Sequence, residues 1–133
     1  LQHKLFKAML VQQLLFSSAR YFVRASDDTF VHLPRLMGLV SHHGPAKLYL
    51  GREVHHQRYR DDWQLHEQYL LTFGHDLLPG VHLGDVVVVS TDLVETLLEI
   101  QPRMTHWAHF DDTLGLWLSQ VEGVRRVGAL RVD

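Results

Sequence analysis

Arg20-Tyr21-Phe22-Val23-Arg24-Ala25-Ser26-Asp27-Asp28-Thr29-Phe30-Val31-His32 sets two apolar runs on either side of a pair of carboxylates. The first run, Tyr21 to Val23, reads as a short buried strand of the kind that belongs inside a sheet. Where that strand leaves the sheet, Asp27 and Asp28 would sit at the rim, beside whatever pocket the sheet supports. One carboxylate at a strand end is ordinary. Two crowd like charge and need a cation or solvent beside them. A solvated turn is the plain alternative.

Upstream of this stretch, Leu1 to Phe16 reads as a helix with Leu1, Leu5, Met9, Leu10 and Leu14 near one face, broken by Ser17-Ser18. Downstream, Thr29 to His32 looks extended. Pro34 suits the first turn of a helix with Leu33, Leu36, Met37 and Val40 as its apolar face, ending near Gly38 or Ser41. His42-His43-Gly44-Pro45 is a turn. Leu48 to Arg52 reads as a second short strand. Glu53 to Gly84 has no clear period and is long for a structureless loop, so a functional or mobile role is expected of it. Val86-Val87-Val88-Val89-Ser90 is the strongest strand signal, buried on both faces. Ser90 or Asp92 then caps a helix to Ile100, with Leu93, Val94, Leu97 and Leu98 inward, Glu95 at capping-box spacing from Asp92, and Pro102 ending it. A last helix runs from Thr113 to Val121, with an aspartate ahead of it as N-cap, stabilising by ~1 kcal/mol. Val124 to Val132 is a candidate final strand.

The 133 residues make one domain, 1–133. Apolar residues are 46% of the chain, enough for a core, and a net charge of -2 gives no broad basic surface for nucleic acid. The absence of cysteine excludes a disulfide scaffold and a thiolate metal site. No apolar run reaches the ~20 residues a membrane helix needs, and no signal peptide is visible. A chain that starts at Leu1 and opens directly in a helix pattern is expected to be a fragment, with any membrane anchor outside it. The 11 histidines invite a metal reading, but His42-His43 and His55-His56 are sequence neighbours whose side chains point apart. There is no His-Glu-x-x-His, and solvated or hydrogen-bonded histidines are expected.

Tyr21 to His32 closely resembles the strand-plus-aspartate motif of the inverting β-1,3-galactosyltransferase family, to which N-acetylglucosaminyltransferases and Fringe-type enzymes are related. Leu48-Tyr49-Leu50-Gly51 resembles the family's Leu-Tyr-x-Gly segment. The valine strand with Ser90-x-Asp92 resembles the segment after its acceptor loop. Asp111-Asp112 followed by Gly115 resembles its acid–aspartate pair. The order and spacing of the four carry the resemblance over nearly the whole chain. It implies an α/β fold of GT-A type, a Rossmann-like mixed sheet flanked by helices, truncated at the N-terminus. The chain would be the central to C-terminal part of that domain, with the uridine-binding strands upstream.

The activity implied is inverting transfer of a hexose from a UDP-sugar to a hydroxyl of a glycan on a glycoprotein or glycolipid, assisted by Mn²⁺ or Mg²⁺. By the resemblance Asp28, with Asp27, ligates the metal. Arg24, Ser26, Asp27 and Asp28 bind donor, and Trp63, Gly84 and Asp85 lie at the acceptor. Trp63 reads equally as a core anchor. Lys4 matches a helix lysine usual before the motif, or is simply solvated. The implied setting is the Golgi lumen, with membrane attachment only through a segment outside this chain.

Transfer needs a base opposite the leaving group, and Asp111 and Asp112 are the candidates. Aligning on Gly115 without a gap puts Asp111 on the base and Phe110 on the preceding acid; a shift of one puts Asp112 there. Asp111 is preferred. The chain departs from the family pattern where Ser26 replaces the first aspartate and where Gly84-Asp85-Val86 keeps one glycine of a glycine run. No histidine after Gly115 matches a late metal ligand. These departures leave a second reading, a catalytically degraded member that binds glycan or a partner. A third is a metal-dependent hydrolase whose histidines converge with Asp28 and Asp111.

Overall fold

The computed structural model describes residues 2–54, 63–73, 81–106 and 110–128, with side chains over 4–52, 67–73, 86–106 and 113–128. The order is α1 (Gln2–Leu15), β1 (Tyr21–Ala25), α2 (Leu33–His43), β2 (Leu48–Val54), α3 (Trp63–Phe73), β3 (Val81–Ser90), α4 (Thr91–Ile100), a 3₁₀ turn (Gln101–Arg103), α5 (Phe110–Leu118) and β4 (Arg125–Val127). The strands form one sheet in the order β1-β3-β2-β4. β3 is antiparallel to both β1 and β2, and β2 is parallel to β4, so β1, β2 and β4 share one direction. The chain is therefore a mixed α/β protein, its sheet flanked by helices.

Alternation along the strands builds two cores. Phe22, Val89, Tyr49 and Arg126 lie in one row across the sheet, and Val23, Val88, Leu50 and Val127 in the next. On the first face, Tyr49, Val87 and Val89 meet Phe6 and Met9 of α1, Leu93, Val94 and Leu97 of α4, and Leu114, Trp117 and Leu118 of α5. On the second, Leu48, Leu50 and Val88 meet Leu36 and Val40 of α2. Each such side chain contributes roughly 1.5–3 kcal/mol of burial. β3 is covered on both faces, which is why its valines run without alternation.

The β3–α4 corner locks the amino ends of the strands. Ser90 occupies the N-cap position of α4 but its side chain makes no capping bond. Its buried Oγ instead accepts from the Leu48 amide at 2.8 Å and donates to Asp92 Oδ1. Asp92 Oδ2 accepts from the Lys47 amide at 2.8 Å, and the Thr91 amide and hydroxyl reach the carbonyls of Arg20 and Ala19 at 2.9 and 2.7 Å.

Several expectations give way. The aspartate strand lies at the edge of the described sheet, with Val23 42% exposed. α1 turns inward through Leu5, Phe6, Met9 and Gln12, leaving Leu10 and Leu14 exposed, because Gln12 Nε2 donates to the Tyr21 carbonyl at 2.8 Å and so fixes the helix roll. α2 runs through Gly38 to His43, with Leu33 and Met37 outside. Its start is capped by His32 Nδ1, which accepts from the Arg35 amide at 3.2 Å. The span 53–84 is not structureless: it contains α3 and the first residues of β3. α4 does end at Ile100, as expected, and Pro102 sits in a separate 3₁₀ turn that follows it. α5 begins at Phe110, so Asp111 and Asp112 lie within its first turn and neither is its N-cap.

Candidate functional site

Because β1 and β2 are parallel, their carboxyl ends fall on the same edge of the sheet, where an open α/β sheet offers its ligand crevice. β1 ends there in the turn at Ser26-Asp27-Asp28-Thr29, closed by the Thr29 amide donating to the Ser26 carbonyl at 3.2 Å. Ser26 is half-buried; Asp27 and Asp28 are exposed. Asp28 Oδ1 accepts from its neighbour Thr29 Oγ1 at 3.4 Å, a long bond that leaves the carboxylate's lone pairs largely to solvent or a ligand. Arg24, half-buried, pairs in register with Val87 and so lies on the face covered by α1, α4 and α5.

β3 breaks register at the same edge. Gly51 pairs with Val87, but the next residue, Arg52, pairs with Leu83. Gly84, Asp85 and Val86 therefore fall in the gap, while Val86 still pairs with Ala25 of β1. Such irregularities bend a strand and re-aim its side chains, and they recur beside active sites. Gly84 and Asp85 thus follow directly past the end of β1, next to Ser26. Their side chains, like those of Trp63, Asp111 and Asp112, lie outside the described residues.

Asp111 and Asp112 belong to the helical layer, in the first turn of α5. β4 starts at the amino edge, where Arg125 pairs with Leu48, and the turn at 119–124 joins it to the end of α5. The last turn of α5 is therefore at the amino edge. Its 9 residues span about 13 Å, which sets its first turn well away from that junction. A helix first turn favours carboxylates through its unpaired amides. The topology thus sets Ser26-Asp27-Asp28 and Gly84-Asp85 at one edge, while Asp111 and Asp112 lie in the first turn of the helix that packs on β3. Trp63 opens α3, whose Gln68 Nε2 reaches Thr105 Oγ1 at 3.5 Å, beside the segment that leads into α5.

Among the described residues no group of three or more His, Cys, Asp or Glu side chains could hold a metal. A hard divalent cation needs only one or two protein carboxylates when phosphate oxygens and water complete its shell. The adjacent, exposed Asp27 and Asp28 fit that mode. Of the histidines with described side chains, His32 caps α2, His43 stacks edge-on to His42 with centroids 5.2 Å apart, and His106 packs edge-on against Phe6 and Trp117. His55 and His56 lie outside the described residues.

One residue the sequence did not single out stands out in the site's support. Half-buried Arg126 crosses from β4 to α5, its Nη2 donating to the Gly115 carbonyl at 2.8 Å and its guanidinium 5.6 Å from the centre of the Tyr49 ring. Fold and site together describe an α/β protein with paired carboxylates at the carboxyl edge of a mixed sheet. No family model matches the chain, and a comparison with curated proteins finds no match either.

Proposed function

We propose that the chain is part of a metal-assisted, inverting hexosyltransferase of GT-A type, moving a sugar from a UDP-sugar to a glycan hydroxyl. The observation that supports this reading is that the Ser26-Asp27-Asp28 turn and the register break of β3 at Gly84-Asp85 lie at the same sheet edge. The mixed sheet, with β3 alone running against the others, is compatible with the architecture the resemblance implies. So is the outer side of β1, which has no strand partner among the described residues and where the uridine-binding strands would pair. Asp28, with Asp27, would hold Mn²⁺ or Mg²⁺, which supplies electrostatic neutralisation of the diphosphate as the glycosidic bond breaks.

The protein's own residues divide the remaining work. Asp111, or Asp112 one position on, takes the proton of the acceptor hydroxyl as its oxygen bonds the anomeric carbon from the face opposite the diphosphate. The electron pair of the breaking C–O bond leaves on UDP. Arg24 and Ser26 flank the donor. Gly84 and Asp85, in the register break of β3, and Trp63, at the head of α3, border the acceptor. The corresponding setting is the Golgi lumen. No helix among the described residues is long and apolar enough to cross a membrane, so attachment would use another segment.

The test is calorimetric titration of UDP into the full-length protein with and without Mn²⁺, for wild type and Asp28→Ala. Mn²⁺-dependent binding lost in the variant, followed by UDP-sugar turnover that Asp111→Asn or Asp112→Asn lowers at least a hundredfold, is expected. No Mn²⁺-dependent UDP binding by the wild type overturns the reading. A second reading, glycan binding without transfer, is favoured by Ser26 and Phe110, where the family pattern has acids. It predicts glycan affinity unaffected by Asp28→Ala.

A further inference from the structure

We infer that His32 is a pH-responsive latch on the Ser26-Asp27-Asp28 turn. Neutral, it caps α2 and holds the turn between two fixed elements; protonated, it releases the start of α2 and the outgoing limb of the turn. This goes beyond the transferase reading and holds for whatever the turn binds.

The first turn of α2 lacks the residues that usually steady a helix start. It contains no acidic side chain, the kind that suits the unpaired amides there. Pro34 has no N–H. The Leu36 amide donates to the His32 carbonyl at 3.0 Å, so Leu33 and Arg35 carry the amides left without a helical carbonyl. His32 stands at the N-cap with φ -82° and ψ 90°, and its Nδ1 accepts from the Arg35 amide at 3.2 Å. A neutral ring that accepts at Nδ1 carries its proton on Nε2, whereas imidazolium donates from both nitrogens. Histidine is thus a cap whose acceptor is lost between about pH 8 and pH 5. The added proton also sets a cation at a helix end that already presents partial positive charge, with exposed Arg35 in the same turn. The cap is therefore present while the ring is neutral and lost as pH falls.

The limb from the turn to the helix has little else to hold it. Thr29 closes the turn through its amide, and its hydroxyl makes only the long bond to Asp28. Phe30 is 89% exposed, and Val31 is half-buried against the core that contains Leu36 and Val40. His32 is the polar anchor of this limb, as pairing with β3 anchors the incoming one.

The charged and titratable groups around α2 leave the cap to His32. Asp27 and Asp28 precede it in the turn, and His42 and His43 lie at the far end of the helix. From the sheet, Tyr21 of β1 donates its hydroxyl to the Val40 carbonyl at 3.1 Å, and Arg52 of β2 is exposed. Among the described residues His32 makes no ion pair.

The test is nitrogen-15 NMR of the full chain without substrate, titrated from about pH 8 to about pH 5. In the wild type the neutral His32 ring is expected to carry its proton on Nε2. The Arg35 and Thr29 amide resonances should move with the same midpoint as that ring, and the Leu36 amide should lose roughly fivefold of its exchange protection across it. A neutral ring protonated on Nδ1, or an Arg35 amide that stays flat while the ring titrates, overturns the inference. So does a Thr29 amide that stays flat while Arg35 moves, which reduces His32 to a local cap. His32→Asn, a capping side chain that does not titrate, is expected to keep the protection and abolish its pH dependence. A response that persists in His32→Asn and disappears in Asp28→Asn belongs to the carboxylate and overturns the latch. Every arm is read without transfer, so a flat titration leaves the transferase reading standing, and an inactive chain leaves the latch standing.

Discussion

Replacing Ser90 separates two explanations of the same residue. If Ser90 serves as an N-cap, Asp is as good as Ser there, and Ala costs ~1 kcal/mol. The structure gives it another role. Its Oγ is buried, accepts from the Leu48 amide at 2.8 Å and donates to Asp92. Ser90→Ala leaves the Leu48 amide buried without a partner, a cost of roughly 1–3 kcal/mol, and removes one bond from Asp92, roughly 0.5–1.5 kcal/mol. Asp92 keeps the amides of Lys47 and Leu93, at 2.8 and 2.9 Å, which limits that second loss. The sum is about 2–4 kcal/mol. Ser90→Asp satisfies the Leu48 amide but sets a second carboxylate against Asp92 in a buried site, and should cost at least as much, about 4 kcal/mol. Urea denaturation followed by tryptophan fluorescence measures both as a shift in midpoint at constant slope. Against the ~5–15 kcal/mol typical of a domain, either loss is large. A Ser90→Asp protein within 1 kcal/mol of wild type would refute the buried-junction argument and restore the simple cap.

Met9→Ala, which opens a void among Phe6, Leu97 and Trp117, is expected to cost about 2–5 kcal/mol, whereas Leu15→Lys, on the exposed side of the same helix, should stay within about 0.5 kcal/mol; equal effects in denaturant would contradict the helix roll. Gly123→Ala should cost about 1–2 kcal/mol in the same assay, because φ is +79° and an added Cβ would lie 3.1 Å from Lys47 Nζ, which bonds the Glu122 carbonyl. In β1, the Phe22 and Arg24 amides face β3 while those of Val23 and Ala25 face outward, so amide exchange should alternate slow and fast along the strand; uniform protection would show that the edge is covered.

The sequence made the sheet legible where burial is continuous. Val86 to Ser90 could only be an interior strand, and β3 does lie between β1 and β2. It misjudged β1, because Tyr21-Phe22-Val23 is equally apolar at an edge, where one flank has no strand partner among the described residues. Leu10 and Leu14 misled for a related reason. α1 carries apolar residues around most of its circumference, and a polar residue, Gln12, decides which side turns inward by bonding the Tyr21 carbonyl. The register break at Gly51/Arg52 left no pattern to read, since its cause is pairing between distant segments. The order of the acidic segments was legible; that the Ser26-Asp27-Asp28 turn and Gly84-Asp85 share one edge was not, because it depends on β3 running against β1 and β2. Arg126 was invisible, being one of two arginines in a strand of 3 residues with no alternation to assign its face.

The two edges of the sheet are finished differently, and the difference bears on where the candidate site ends. β4 is short, and Arg125 reaches back to the carbonyls of His43, Gly44 and Ala46, so that edge carries charge and little free backbone. Natural edges are commonly blunted in this way. Among the described residues β1 has no comparable protection. The Thr91 amide bonds the Arg20 carbonyl, and antiparallel alternation then turns the backbone groups of Tyr21, Val23 and Ala25 outward. Gln12 satisfies only the Tyr21 carbonyl, and its own Oε1 is buried without a partner. Both layers beside this strand also expose apolar side chains: Leu10, Val11, Leu14 and Leu15 on α1, and Val23, Phe30, Leu33 and Met37 from β1 to α2. On α1 alone this is on the order of 500 Å², near the largest patch a lone soluble domain usually shows. The Ser26-Asp27-Asp28 turn continues directly from this open strand. Any chain that pairs with β1 would therefore end beside those carboxylates and form the second wall of their crevice. A donor nucleotide needs such a wall, and the transferase reading places its uridine-binding strands there.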